Sequence, residues 1–299
     1  MKTISGSENI IVRGTGLLVI EVINSNPNGD PDKESDPRQR PDERGEISPV
    51  SFKRKIRDLV EEKNGPVWTS VAAGFDPRLK PEDFQILESR ETDRPEVEKE
   101  IKSNPESFVS KYWDARLFGN TFLEKNLQDS IRTGVAQFGL GVSLAPVLIA
   151  RMTTTKKAPA EKDKTRGMAP LGYRIVQHGV YCMPFFINPT AAPKSGCTKR
   201  DIDVLLHIIP YTYTHTASYV RPFVNIRHAW YIEHKTALGS CSDFELIQAL
   251  TPKKRSDPET PSTCWEEYDD PLDLGEHLKA RIAGIVDLMR EGYDGTSGT

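Results

Sequence analysis

No stretch of this chain is apolar for long enough to cross a bilayer; the best candidates, residues 17–23 and 145–150, are of strand length. Residues 1–8 are short and polar, without an apolar h-region, so no secretory signal is expected. Cysteine is scarce. Cys182, Cys197, Cys241 and Cys264 lie far apart and form no C-x-x-C pair, which argues against a zinc ribbon or redox motif. Four reduced, buried thiols in a cytoplasmic protein are the expectation. Also missing are a Walker P-loop, G-x-G-x-x-G, G-x-S-x-G and any H-E-x-x-H spacing. The six histidines, His178, His207, His215, His228, His234 and His277, therefore read as structural. No catalytic residue, metal site or cofactor is expected. A net charge of −3 does not mark a nucleic-acid binder, so any such surface must come from local clustering of the 40 Lys and Arg residues.

What is present has a clear order. Residues 10–23, rich in Val, Ile and Leu, read as a mostly buried strand that ends in the turn formers Asn24 to Pro31. The stretch onward to Ile47 has no hydrophobic period. Ser48 as N-cap and Pro49 in the first turn open a helix to about Glu62, with Phe52, Ile56, Leu59 and Val60 as its apolar stripe. Residues 64–104 read as an insertion with broken periodicity, and 106–123 as helical. Strand character returns over 131–150 and 173–187, a Thr-capped helix over 198–209, and a final core strand over 223–233. Helices are expected at 244–250 and 274–290, with a disordered tail from Gly292. The order strand, helix, strand, strand, helix, strand is the α+β, ferredoxin-like arrangement used by RNA-recognition domains.

Three features point to binding. Asn26-Pro27-Asn28-Gly29 offers amides and backbone N–H groups after a strand, suited to phosphates or a splayed base, or is simply a turn. Lys53 and Arg57 share one flank of the first helix, with Arg54 farther round; the plainer alternative is a solvated face with Arg54–Asp58 and Arg57–Glu61 pairs. Residues 151–166 hold six basic residues against two acids and lie between strands, so they should project as an arm or extended hairpin. Its Thr and Lys residues suit phosphate and sugar contacts. Met152 and Met168 near its base suit apolar wedges between bases, or ordinary core packing. Gly134, Gly139 and Gly141 fit close approach of a ligand to the sheet, or strand bulges. Asp30, Asp32, Asp36 and Asp42 could hold a divalent metal, but Lys33, Arg38, Arg40 and Arg44 are interleaved with them, which favours a charge-balanced loop.

EVINSNPNGDPD at 21–32 followed by FKRKIR at 52–57 resembles the backbone subunit of the type I CRISPR Cascade complex, a family-seven member of the RAMP superfamily, and most nearly the I-C and I-B branch. WDARLFG at 113–119 and QFGLGVSLAPV at 137–147 extend the resemblance, which runs from about Leu17 to Ala237. It implies an RRM-type palm (1–63 and 124–240), an inserted fingers subdomain (64–123), a thumb arm (151–170) and a C-terminal helical extension (241–299). Copies would stack along the guide, each thumb folding over the RNA held by its neighbour. The implied RNA-binding residues are Asn26, Asn28, Lys53, Arg54, Arg57, Arg116, Gln137, Ser143, Arg151, Thr153, Lys156, Lys157 and Arg166, with Met152 and Met168 as base wedges. The implied partners are CRISPR RNA, a target DNA strand through the guide, further copies of the chain, and the large, small and repeat-handle-binding Cascade subunits, with no membrane. The rival is a type III-like backbone ribonuclease using Asp30 or Asp32, although KRKIR stands where those nucleases have a glycine- and serine-rich helix start. A third reading is an assembly protein with no direct RNA contact.

Overall fold

A computed structural model describes residues 10–89, 94–104, 109–120, 132–157, 168–269, 271 and 273–290. The first half of the chain forms β1 (Gly14–Ser25), β2 (Arg44–Ile47), α1 (Pro49–Glu61), α2 (Pro66–Gly74), α3 (Arg94–Ser103) and α4 (Trp113–Phe118). Six strands follow: β3 (Gly119–Asn120), β4 (Arg132–Thr133), β5 (Ala136–Phe138), β6 (Gly141–Pro146), β7 (Ile149–Lys157) and β8 (Met168–Ile187). The remainder gives α5 (Ala192–Ser195), α6 (Lys199–Ile208), β9 (Val224–His234), α7 (Asp243–Leu250), β10 (Lys253–Lys254), β11 (Tyr268–Asp269), α8 (Glu276–Lys279) and β12 (Ile282–Asp287). The result is a mixed α/β structure built on one large antiparallel sheet in the order β12-β9-β1-β8-β6-β2, with β5 and β7 also pairing with β8.

β1 is apolar at consecutive positions because both of its faces are covered. Leu18, Ile20 and Val22 face one core, shared with Phe52, Ile56 and Val60 of α1, Trp68 and Val71 of α2, and Leu205 and Ile208 of α6. Leu17 and Val19 face a second core with Val180, Trp230 and Ile232, closed by Leu246, Leu250, Tyr268, Leu274 and Leu278 from the C-terminal region. Helix α1 starts as its sequence dictates: the Ser48 hydroxyl accepts from the Ser51 N–H at 3.2 Å, and Pro49 sits in the first turn. Thr198 and Asp201 form a reciprocal capping box at the start of α6.

Several expectations are corrected. Residues 274–290 are not one helix: α8 is four residues long, and Ile282–Asp287 form β12 on the free edge of β9. Ile282, Ile285 and Val286 are β-branched, and the edge offers them unpaired backbone groups. β9 is therefore not the last strand. The supposed aperiodic stretch before Ile47 ends in β2, paired with β6. The helix read over 106–123 closes at Phe118, where Gly119 turns to φ +83°. Residues 64–104 supply Val67, Trp68, Val71, Leu79 and Phe84 to the same core as β1. The three glycines face protein rather than open space: a Cβ at Gly134 would lie 2.0 Å from the Phe118 carbonyl carbon, and those at Gly139 and Gly141 would meet Pro184 and Met183. Of the four free thiols, Cys197 is buried, Cys182 and Cys241 half-buried, but Cys264 is exposed. The tail from Gly292 lies outside the described residues. No helix among the described residues is long and apolar enough to cross a membrane.

The core argument yields a stability test. Phe52 is fully buried, with its ring 5.2 Å from that of Phe138, so Phe52→Ala should cost about 3–5 kcal/mol in denaturant unfolding. Val50 is 71% exposed on the same helix, and Val50→Ala should stay within about 0.5 kcal/mol of wild type.

Candidate nucleic-acid interface

Where β1 leaves the sheet, its loop folds back on itself. The Asn26 side chain donates to the Ser35 carbonyl at 2.8 Å, and the Asn28 amide oxygen accepts from the Ser48 N–H at 2.8 Å. Both asparagines are buried. Their amides brace the loop and the start of α1 instead of being offered to solvent, a correction to the expected exposed turn. Three of the loop aspartates, Asp30, Asp36 and Asp42, have partners as well. Asp30 accepts from the Asp32 N–H at 3.2 Å, and Asp42 lies between Arg40 and Arg44 at 3.8 and 3.7 Å. Asp36 holds Arg151 at 2.6 Å and Arg174 at 3.4 Å. Among the described residues, no three His, Cys, Asp or Glu side chains are grouped as a metal would require.

Asp36 thereby anchors the base of a long hairpin. β7 pairs with the first part of β8 from Ile149↔Val176 to Lys157↔Met168, as a Thr- and Lys-rich segment between strands leads one to expect. Near the base Arg151, Met152 and Thr153 are exposed, and Met152 at 48% is not a core methionine. Arg166 and the side chains of Lys156, Lys157 and Met168 lie outside the described part of the structure.

The basic run on α1 divides sharply by environment. Arg57 is buried, with its Nε 2.9 Å from Asp114 and Nη1 3.1 Å from Glu88. Asp114 also accepts the Leu87 N–H at 2.7 Å and the Glu88 N–H at 3.1 Å. Arg116 is likewise buried, 2.7 Å from Asp201 and donating to the Val109 and Asp83 carbonyls at 3.0 and 2.9 Å. Neither guanidinium is open to a phosphate; both cross-link α4 to its neighbours. Arg54 pairs with Asp58 at 2.5 Å and Glu61 at 2.9 Å, while the anticipated Arg57–Glu61 pair gives way to Asp114. Neither lysine of the run, Lys53 or Lys55, forms an ion pair with a described carboxylate, and Lys53 lies on the Arg57 flank. It is half-buried, 5.0 Å from the Phe118 ring centroid, and burial, followed by the charge of Arg57, pushes its ammonium down to about 8 against the pull of Glu88.

Gln137 is exposed and donates to the Gly134 carbonyl at 2.9 Å. Ser143 is buried and accepts the Gly45 N–H at 2.8 Å, which ties β6 to β2. Four histidines have structural partners: His178 bridges Ser262 at 2.8 Å and Glu21 at 3.2 Å, His228 meets Asp287 at 2.7 Å, His234 meets Thr15 at 2.9 Å, and His207 meets the Asp203 carbonyl at 2.7 Å. The sequence reading missed Arg221, which donates to the Asn26 carbonyl, Lys55, within electrostatic reach of Arg221, and the exposed rings of Tyr219 and Phe223 on either side of Arg221. Their signal was an aromatic-rich stretch, YTYTHTASYVRPF at 211–223, interrupted by an arginine.

Removing one partner of a buried pair strands the other, so Asp114→Ala should cost about 3–5 kcal/mol, against under about 1 kcal/mol for Arg54→Ala, by urea unfolding. The depressed Lys53 has a second consequence. Above pH 8 the folded protein has released this proton while the unfolded chain keeps it to about its ordinary value of 10.5, so the unfolded state binds more protons and stability rises with pH. Between pH 8 and 9.5 the urea midpoint of wild type should therefore climb more steeply than that of Lys53→Met.

The chain resembles several solved structures. A chain of a CRISPR RNA-guided surveillance complex in a pre-nicking state matches with a TM-score of 0.48 and 13% identity, over 75% of this chain and 78% of that one. A chain of another CRISPR RNA-guided surveillance complex gives 0.39 and 14%, over 73% and 69%. A chain of a type III-B Cmr-beta complex bound to cognate target RNA gives 0.38 and 10%, over 73% and 60%. No curated protein matches it. The family model described as CRISPR-associated protein Cas7 matches residues 12–273, which include the whole sheet up to β9 and the β7–β8 hairpin. This protein belongs to the Cas7 family of CRISPR-associated proteins.

Proposed function

We propose that this protein is a non-catalytic backbone subunit that coats CRISPR RNA in several copies within a type I Cascade complex in the cytoplasm, presenting the guide for pairing with target DNA. The observation that carries the reading is the family match over residues 12–273. The topology supports an RRM-type palm: β9, β1, β8 and β6 lie side by side and antiparallel, the fourth, first, third and second strands of the strand-helix-strand-strand-helix-strand core. The β7–β8 hairpin is the thumb. Residues 64–123 take the part of the fingers. Large, small and repeat-handle-binding subunits complete the assembly.

Within this reading the contacts divide into two kinds. Lys53, Gln137, Arg151 and Thr153, with Lys156, Lys157 and Arg166 on the arm, touch phosphate and sugar, and Met152 and Met168 wedge between bases. Asn26, Asn28, Arg54, Arg57, Arg116 and Ser143 hold the surface in shape. Binding is then electrostatic and indifferent to sequence, and the guide supplies specificity by base pairing.

Titration of the protein onto labelled single-stranded RNAs of increasing length, with magnesium and at two salt concentrations, tests this. Stepwise addition of copies with length, weaker binding at high salt and intact RNA are expected. RNA cut at regular spacing would replace the reading with a type III-like ribonuclease acting through Asp30 or Asp32, and absence of binding at both salts would remove it.

A further inference from the structure

Near the asparagine loop, two cations lie within electrostatic reach of each other and neither is paired with a described carboxylate. Lys55 lies on α1, away from the Lys53 flank; it is 6% exposed, and its Nζ is 5.7 Å from the Tyr213 ring centroid. It makes no hydrogen bond or ion pair with a described residue, and Asp58, the carboxylate that reaches it electrostatically, is held by Arg54. Arg221 enters from the segment before β9, half-buried, with its Nε donating to the Asn26 carbonyl at 2.9 Å and no described carboxylate paired with it. Two further polar atoms of the cluster, the Tyr213 hydroxyl and the Asn26 Oδ1, are buried without a hydrogen-bond partner. Burial, and then the charge of Arg221, pushes the Lys55 ammonium down to about 8, and burial lowers Arg221 as well.

A buried, unpaired ammonium beside a second, half-buried cation and an unsatisfied hydroxyl is costly unless something negative joins it. The surroundings indicate which class of anion. Tyr219 and Phe223 stand two residues to either side of Arg221 and are 61% and 65% exposed, and the Tyr219 ring packs edge-on against Tyr173 at 5.6 Å. Free phosphate has no use for exposed rings; single-stranded nucleic acid uses cations for its backbone and rings for its bases. We propose that Lys55, Arg221 and the Tyr213 hydroxyl form a pocket for one backbone phosphate of single-stranded RNA, with Tyr219 and Phe223 stacking neighbouring bases. The nucleic-acid part rests on the RNA-coating reading; the phosphate part stands without it.

Two arms separate these. In the first, inorganic phosphate is compared with chloride at equal ionic strength by thermal unfolding of the full chain. Phosphate should raise the midpoint of wild type and of Lys55→Arg, which keeps the charge, but not that of Lys55→Met; an equal rise in wild type and Lys55→Met overturns the pocket. Lys55→Met keeps the side-chain volume and removes an unpaired buried charge, so in chloride it should unfold no earlier than wild type. In the second arm, binding to a single-stranded oligouridylate is followed against salt. Lys55→Met should flatten the log–log salt slope by about 0.7, the share of one single-strand phosphate contact. Tyr219→Ala with Phe223→Ala should weaken binding about tenfold or more while leaving the phosphate response intact. An unchanged salt slope in Lys55→Met overturns the RNA assignment. Wild type that responds to phosphate but binds no RNA supports the pocket and removes the coating function, so the two readings fail separately.

Discussion

The arrangement depends on burial of β1 on both faces. An antiparallel sheet commonly leaves one face to water, and RNA-recognition domains stack bases on that face. In this protein the face carrying Leu17, Val19, Trp230 and Ile232 lies under Leu246, Leu250, Tyr268 and Leu278, so neither face of β1 is left to water. Exposed rings and cations lie elsewhere, with Tyr219 and Phe223 in the segment before β9 and Arg151 at the base of the β7–β8 hairpin. The C-terminal region is thus part of the core and not an appendage to it.

A second constraint is the neutralisation of charge inside the basic run of α1. Arg57 of α1 reaches Asp114 of α4, Arg116 of α4 reaches Asp201 of α6, and each carboxylate is further held by backbone or side-chain donors. Desolvated arginines with full partners fix geometry; their contribution to a surface potential is small. Lysines of the same helix follow the opposite rule. Lys53 and Lys55 lack close carboxylates, and burial depresses both. Four residues of uniform basic character on paper are therefore two populations, one that builds and one that is left charged against its surroundings.

Much of the fold was legible in the sequence where local chemistry decides it. Ser48-Pro49 and Thr198 announced their helices, and the Val/Ile/Leu run announced β1. The projection of Phe52, Ile56 and Val60 announced the face that packs on the sheet. What was illegible depended on partners distant in the chain. Residues 282–287 become a strand because β9 presents an edge. Arg57 turns inward because Asp114, 57 residues away, is buried beside it. The Asn-Pro-Asn-Gly turn looked like an exposed cradle because sequence shows amide groups but not that Ser35 and Ser48 consume them. Lys55 and Arg221 escaped notice for the same reason: their shared lack of an acid exists only in three dimensions.

The 20-residue strand β8 runs through several ladders, pairing with β7 over its first part and, from Val176 to Ile187, with β1 on one side. The chain does not break at the changeover. Hydrogen bonds of an antiparallel pair stand perpendicular to the strands, so a pull along the hairpin runs into the β1–β8 ladder as shear. Shear loads those bonds in parallel, whereas a hairpin joined through a loop would be peeled from its base one bond at a time. Mechanically the arm is a continuation of the central sheet, and a neighbour gripping it would be holding the core itself.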